Sequence, residues 1–232
     1  MPKASAIIIG NEILNGKVQD ANSQTLARVL FNCGVKLSLI ETIPDQTNII
    51  IQTVQRHAKE YDLVFTSGGI GATHDDITYD AVGKAFGKKL ELHEEALRRY
   101  TAFRGEKPNL ARQKMLTLPQ GAEIIWTPDL WVPTVFLDPV YILPGIPELF
   151  TQMLEALKSR FTYKAFERAL IYSQKQEGDI ALDLEQVQNR FPELEIGSYP
   201  QSTESGYQVM LSIEGQEAKQ VQAAALEIQK FV

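Results

Sequence analysis

The sequence predicts a three-layer α/β/α domain on a mostly parallel sheet, followed by a small α+β domain. Three observations predict it. Apolar runs too short for helices alternate with segments of helical periodicity, several of those runs end at glycine-containing turns, and the order of elements changes around residues 161–165. Strands alternating with helices at this spacing favour right-handed crossovers, hence a parallel sheet. The division falls between residues 1–162 and residues 163–232.

Taken in order, Ala6-Ile7-Ile8-Ile9 is a continuous apolar run ending at Gly10, the pattern of a strand buried on both faces. Asn22 or Ser23 caps a helix to about Cys33, with Gly34 as its stop. Residues 36–43 read as the second strand. Pro44-Asp45-Gln46-Thr47 opens a helix with Ile50 or Ile51, Val54 and Ala58 at helical spacing, and His57 is expected on its surface. The third strand spans 62–66, and helices follow at about 78–86, 93–103 and 110–115. Strands at 123–126, 135–137 and 140–143 lead into a helix from Pro147 to about Arg160, where the missing N–H of proline is not needed. The second domain reads as a strand at 169–172, a helix at 179–191, strands at 194–199 and 208–213, and a helix at 217–231. That β-α-β-β-α order suggests a small sandwich.

The composition, 44% hydrophobic and 22% charged over 232 residues, is enough to bury one large core and one small one. Met-Pro-Lys-Ala-Ser lacks the apolar region of a signal peptide and no apolar run approaches the ~18 residues of a membrane span, so a cytoplasmic protein with no membrane partner is expected. Cys33 is alone and shares an apolar helical pattern with Leu26 and Leu30, which reads as a buried inert thiol. One Cys and three scattered His build neither a disulfide framework nor a Cys/His zinc site. Residues 1–164 carry 18 Lys/Arg and 18 Asp/Glu, while residues 165–232 carry 5 and 11. With no clustered Lys/Arg and an acidic second domain, nucleic acid is not an expected partner.

The most informative segment is Ser67-Gly68-Gly69-Ile70-Gly71-Ala72-Thr73-His74-Asp75-Asp76-Ile77-Thr78, directly after Leu63-Val64-Phe65. Gly68, Gly69 and Gly71 let backbone N–H groups approach an anion such as phosphate closely. Asp75 and Asp76 then supply metal ligands or a general base. The plain alternative is a strand-to-helix turn in which Asp75, Asp76 and Thr78 are solvated or cap the next helix. The segment fits neither the Walker pattern nor the dinucleotide pattern. Asn11, Glu12, Asp20 and Asn22 flank the first strand-to-helix connection and belong at the same end of the sheet, although Asp20 could equally be a helix N-terminal carboxylate. Glu12, Asp20, Asp75 and Asp76 would repel one another unless a cation or protons intervened, which favours a metal. His74 is either a base or phosphate contact or a loop residue without a role, and His93 reads as a helix N-terminal residue. Trp126 and Trp131 could form a stacking wall, with core packing and loop anchoring as their plainer roles.

The glycine segment resembles the Gly-Gly-x-Gly-Pro-Thr-x-Asp-Asp-x-Thr loop of the molybdopterin-binding-like family, which includes the N-terminal domain of CinA-type competence/damage-inducible proteins and the corresponding domain of eukaryotic FAD synthases. Gly10-Asn11-Glu12-Ile13-Leu14-Asn15-Gly16, continuing to Asp20-Ala21-Asn22-Ser23, is similar to that family's Gly-x-Glu-Leu-Leu-x-Gly-x-x-x-Asp-x-Asn-Ser signature. Leu143-Pro144-Gly145-Ile146-Pro147-Glu148 resembles its Leu-Pro-Gly-x-Pro loop, and Asn109 to Met115 with Leu118-Pro119-Gln120-Gly121-Ala122 resembles an intervening helix and turn. The resemblance covers residues 4–160. Ala72 stands where relatives carry proline, Ile146 replaces another, and Pro128-Asp129-Leu130-Trp131-Val132-Pro133-Thr134 replaces an Asn-x-x-Gly-Thr-Ala-Pro-Gly segment, implying a reshaped or partly blocked pocket. The second domain resembles the accessory domain that follows this module, described as similar to a KH domain, but lacks the Gly-x-x-Gly loop that clamps RNA.

The resemblance implies catalytic roles for Asp76, Asp20 and Asp75. It implies ligand contacts from Asn11, Glu12, Asn22, Ser67, Gly68, Gly69, Gly71, Thr73, Thr78, Pro144, Gly145 and Glu148. A divalent metal (Mg, Mn, Co or Ni) on Glu12, Asp20, Asp75 and Asp76 and a small phosphate-bearing substrate follow. The implied activity is metal-dependent hydrolysis of a nucleoside-diphosphate conjugate of ADP-ribose or FAD type. A molybdopterin-binding or molybdenum-cofactor biosynthesis protein, and a non-catalytic regulatory module, are the alternatives. A homo-oligomer, most simply a dimer, is expected because relatives self-associate and Trp131, Val132 and Val135 form an apolar stretch.

Overall fold

The first apolar run forms β1 (Lys3–Ile9), buried from Ala4 onward. Successive side chains of a strand point to opposite faces, so Ala4, Ala6 and Ile8 enter one apolar core and Ile7 and Ile9 another. That double burial is why the run is continuous rather than alternating. The computed structural model describes residues 2–201 and 206–232, which divide into one unit of Met1–Thr162 and another of Tyr163–Val232.

In the first unit, β1 is followed by α1 (Asn11–Leu14), α2 (Asn22–Asn32), β2 (Lys36–Ile43), α3 (Thr47–Glu60), β3 (Leu63–Ser67) and α4 (Thr78–Ala85). Then come β4 (Leu90–Leu92), α5 (Glu94–Arg104), α6 (Leu110–Lys114), β5 (Thr117–Pro119), β6 (Glu123–Ile125), β7 (Thr134–Leu137), β8 (Val140–Leu143) and α7 (Pro147–Leu157). A six-stranded sheet runs in the order β2-β1-β3-β8-β7-β6. Its first four strands are parallel, while β7 and β6 are antiparallel to their neighbours. Two residues, Asp138 and Pro139, separate β7 from β8, and a connection that short can only reverse the chain. Helices α2 and α7 cover one face through Leu26, Leu30, Phe150 and Leu154, and α3 and α4 cover the other through Ile50, Val54, Tyr79 and Val82. This is the three-layer, mostly parallel architecture that the element order predicts. The β4–β5 pair and the single-turn α1 are not in the sequence reading, because three- and four-residue elements carry too little periodicity.

One expectation changes. His57 is fully buried rather than on the surface, since it follows Ile50 and Val54 at i+7 and i+3 on the core face of α3. Its Nδ1 lies 2.9 Å from Ser5 Oγ and its Nε2 lies 2.8 Å from Glu41 Oε2. An ionised Glu41 only accepts, so Nε2–H donates to it and Nδ1 accepts from the Ser5 hydroxyl. Burial pushes the imidazole below its usual range, with the Glu41 carboxylate opposing only in part, so it is held neutral. In the apolar stretch invoked for self-association, Val132 and Val135 are 4% and 0% exposed and pack within their own unit, while Trp131 is partly exposed.

A folded-state pKa below the unfolded value makes His57 stabilising above about pH 6.5, with that contribution lost as pH falls through the lowered folded pKa. His57→Leu leaves the buried Ser5 hydroxyl unpaired and is expected to cost about 1–3 kcal/mol at pH 7.5. The variant should also lose stability less steeply than wild type between about pH 6.5 and pH 5.5. Urea melts at both pH values check this, and equal pH slopes in the two proteins would refute the assignment.

The second unit contains β9 (Glu167–Ser173), α8 (Glu177–Arg190), β10 (Glu195–Pro200), β11 (Val209–Gly215) and α9 (Ala218–Ile228). Its antiparallel sheet, ordered β10-β11-β9, packs Ile171, Leu211 and Ile213 against Ile180 and Val187 of α8 and Val221 and Ile228 of α9. Among the described residues of the chain, no helix is long and apolar enough to cross a membrane.

Candidate active site

Parallel strands place all their carboxyl ends at one edge of the sheet. Ile9 pairs with Ile43, Ile8 with Ser67, and Ser67 with Leu143, so the segments after β1, β2, β3 and β8 leave the sheet at one level. The glycine segment, the Asn11–Asn22 segment and the Pro144–Pro147 segment are thereby brought together.

The glycine turn is fixed from beneath. Gly68 has φ +108, and a Cβ there would stand 2.2 Å from the carbonyl oxygen of Ile9. Gly69 has φ +66, and a Cβ there would meet Thr78 Oγ1. Thr78 is fully buried; its hydroxyl donates to Gly68 O at 2.8 Å and its N–H to Gly69 O at 2.9 Å. Expected as a ligand contact, Thr78 instead holds the turn from below. Asn22 has the same kind of role: its buried amide donates to Ser67 Oγ at 2.8 Å and to Gly145 O at 2.9 Å, joining three segments. Ser67 is buried with it.

The carboxylates do not form one cluster. Asp20 Oδ1 accepts from the N–H groups of Asn22 and Ser23, both at 3.0 Å, and Oδ2 accepts from the Ser23 hydroxyl. Its bonds are those of the helix-entry carboxylate read as the plainer alternative. Asp75 lies on the exposed tip, where Thr73 Oγ1 donates to it at 2.5 Å and holds it below the usual carboxylate range. His74 is exposed beside it, 4.0 Å away. Asp76 is half-buried, its Oδ2 accepting from Thr73 N at 2.8 Å and lying 2.5 Å from Thr73 Oγ1, whose single proton serves one of the two aspartates at a time. Thr73 therefore orients both aspartates. Among the described residues, no three His, Cys, Asp or Glu side chains form a metal-binding group, so the four-carboxylate site expected of Glu12, Asp20, Asp75 and Asp76 is not assembled. Asp20 and Asp75 are committed to separate local turns, and Glu12 and Asp76 are left to line one cavity.

The sequence reading missed Asp45, at the end of β2. Its Oδ2 accepts from Asn11 N at 2.8 Å; burial pushes its carboxyl above the usual range, Asn11 opposes this, and the Glu12 and Asp75 charges add to the rise. The signal was available, since the residue after Pro44 leaves a parallel strand at the same edge as Gly10 and Gly68.

A cavity of about 580 Å³ opens above the glycine turn. It is lined by Gly68, Gly69, Gly71, Pro144 and Gly145 together with Glu12 and Asp76, and by the apolar side chains of Phe103, Met115, Leu130, Trp131 and Val132. Leu130, Trp131 and Val132 of the 128–134 segment line this cavity. Trp131 stands edge-on to Tyr100, with ring centroids 4.9 Å apart at 89°, which fixes it as a wall, while Trp126 lies under the Arg99 guanidinium at 4.1 Å. Asp20, Asn22 and Ser67 line a separate crevice of about 70 Å³ that shares Glu12, Gly145 and Pro147 with the cavity. Asn11 and Glu148 are exposed and line neither.

Comparison with known proteins meets this geometry. Residues 5–163 match the family described as "Probable molybdopterin binding domain". The chain belongs to that family. Beyond this domain, residues 165–232 match the family described as "FAD synthase, middle domain". A similar family relative is a protein of Archaeoglobus fulgidus, 33% identical over 97% of this chain and 96% of its own length. A probable FAD synthase of Caenorhabditis briggsae and a CinA-like protein of Myxococcus xanthus are each 28% identical, over 99% and 98% of this chain. The chain spans 49% of the nematode protein and 58% of the bacterial one. Among solved structures, CinA of Thermoplasma acidophilum, of unknown function, matches with a TM-score of 0.65 at 28% identity, over 69% of this chain and 98% of that one.

Proposed function

We propose that the chain binds a nucleoside-diphosphate conjugate of ADP-ribose or FAD type and hydrolyses its diphosphate bond. One observation carries the reading: one cavity is lined both by the apolar side chains of Trp131, Phe103 and Met115 and by a glycine turn with Glu12 and Asp76. Apolar walls with a few placed polar groups are the usual lining of a small-molecule site, and a glycine turn admits phosphate oxygens close to backbone N–H groups. The name of the probable FAD synthase among the relatives supports a ligand of the FAD type.

In this reading the ring of the conjugate lies against Trp131, and the diphosphate lies along Gly69 to Gly71. Asp76, oriented by Thr73, takes a proton from a water whose oxygen attacks phosphorus; the bridging P–O bond breaks and its electron pair leaves with the departing phosphate. Glu12 and Asp76 suit a divalent ion of the Mg type, which is often held by one or two carboxylates together with substrate phosphates. Bound there, such an ion would neutralise charge on the phosphoryl oxygens.

A phosphate-release screen of ADP-ribose, FAD, NAD and CoA with Mg, Mn, Co and Ni, coupled to a phosphatase where products require it, tests the proposal. Turnover of ADP-ribose or FAD is expected. The same cavity would also hold a pterin carrying a phosphate, a reading that the family description supports. Tight pterin binding without turnover of any diphosphate would replace the first reading with the second.

A further inference from the structure

The second unit carries a groove that the proposed reaction does not use. It measures about 440 Å³ and lies between one face of α8 and the strand β10. Gly178, Ala181, Leu184 and Gln188 recur at helical spacing along one side, and Ile196 and Ser198 belong to the other. β10 is an outer strand of its sheet, next to β11. In an antiparallel ladder, alternate residues turn their backbone groups away from the partner strand. Ile196 is one of these, because its N–H donates to Gln188 Oε1 at 3.2 Å and not to β11. The same alternation turns the N–H and C=O of Ser198 outward, and Pro200, with no N–H to offer, takes the next outward position. Gln188 thus seals one position of the edge, and the next stays open beside the groove. Such an edge is a template for an added strand, which a groove alongside can select by its side chains.

Charge decides which strand fits. Glu177 and Glu185 also line the groove, both are exposed, and no cation among the described residues pairs with either. Residues 165–232 carry 5 Lys/Arg against 11 Asp/Glu, so the surrounding field has the same sign. A second copy offering its own β10 would bring like charges together, which opposes a symmetric pairing. Spacing narrows the pattern further. Glu177 and Glu185 are eight positions apart on α8, a rise of about 12 Å along a helix, and four positions of a strand rise about 13 Å. Residues one, three and five of a strand share a face, so cations at the first and fifth reach both glutamates while the third faces Ala181 and Leu184.

We propose that this groove docks an extended basic segment of a partner protein, of the pattern basic-x-apolar-x-basic, by adding it as a strand to β10. The segment's backbone pairs with Ser198, its central apolar side chain lies over Ala181 and Leu184, and its two cations meet Glu177 and Glu185. This surface belongs to the second unit alone and stands whatever the first unit hydrolyses.

The test titrates the peptide acetyl-Ser-Lys-Thr-Val-Thr-Lys-Ser-amide into the isotope-labelled full chain at low salt and follows the backbone amide signals. Shifts confined to β10 and α8, with the Ser198 amide moving most, are expected. A peptide of the same composition with its two lysines adjacent should bind roughly fivefold more weakly, as should the first peptide to the Glu177→Gln/Glu185→Gln variant, the scale of two exposed ion pairs. Gly178→Leu fills the groove at a position where a Cβ meets nothing, so it should abolish binding while a thermal melt shows the fold intact. Equal affinity for the two peptides would reduce the binding to bulk charge attraction, and full affinity in Gly178→Leu would place it elsewhere; either overturns the proposal. So does a Ser198 amide that moves with protein concentration in the absence of peptide, which would make the occupant a second copy. No shift at β10 with the first peptide overturns it as well.

Discussion

Asp76→Asn should lower turnover of the diphosphate substrate by roughly 10²-fold or more while the protein remains folded. Asparagine keeps the size of the side chain and one carbonyl oxygen, so a bond from Thr73 N–H can persist where Asp76 Oδ2 now accepts it at 2.8 Å. It cannot take a proton or carry the charge that the proposed reaction places there. Asp76 is half-buried and lines both the main cavity and a smaller one of about 300 Å³ beside it. Asp20→Asn is the comparison: its carboxylate is engaged with the N–H groups of Asn22 and Ser23, and a small change in stability with little change in the chemical step is expected. Steady-state kinetics at saturating metal, with a thermal melt, decide. A near-normal rate in Asp76→Asn would reduce this carboxylate to a support of the Thr73 turn.

The largest loss of stability is expected at Gly68. A methyl group there would stand 2.2 Å from the Ile9 carbonyl oxygen, a backbone atom inside the central strand that cannot swing away, and the residue sits at φ +108. Steric overpacking of this kind costs about 1–3 kcal/mol, and left-handed backbone adds about 1–2 kcal/mol for a residue with a Cβ. Gly68→Ala should therefore lose about 3 kcal/mol or more, a large share of the ~5–15 kcal/mol typical of a folded protein. Gly71→Ala is the informative contrast, because its Cβ would meet only the end of the Asp76 side chain. It should fold nearly normally and displace Asp76, losing activity in place of stability. Urea midpoints for the two variants separate these effects, and equal midpoints would show that the turn yields more readily than its geometry implies.

The order of elements and the two-sided burial of β1 were legible because they are written in periodicity: Ala6 to Ile9 is apolar without interruption, and only a strand covered on both faces needs that. His57 was misread because a polar side chain was assigned to solvent by type, when its i+3 and i+7 spacing from Val54 and Ile50 already put it on the core face. The glycine turn was legible as a site, but the division of labour within it was not. Thr78 and Asn22 bond inward to the carbonyls of Gly68 and Gly145, and those partners lie 10 and 123 positions away in the chain. Local pattern carries no trace of such pairings. The apolar wall at Phe103, Met115 and Leu130 was invisible for the same reason, since it comes from α5, the end of α6 and the segment before β7. Asp45 could have been found by asking which residues leave the parallel strands at the same edge.

The Asn22 amide joins residues separated by 45 and 123 positions, and it can do so only when β3 and β8 already lie side by side. The pocket is thus a property of the completed sheet and has no counterpart in a chain that has formed only its N-terminal half. Contacts this distant in sequence form slowly, because their loops must close before any bond rewards the closure. A ligand held by these segments will have nothing to grip during most of folding. Once bound it will resist every opening that separates α2, β3 and β8, so amide exchange should slow across those buried elements as well as around the ligand.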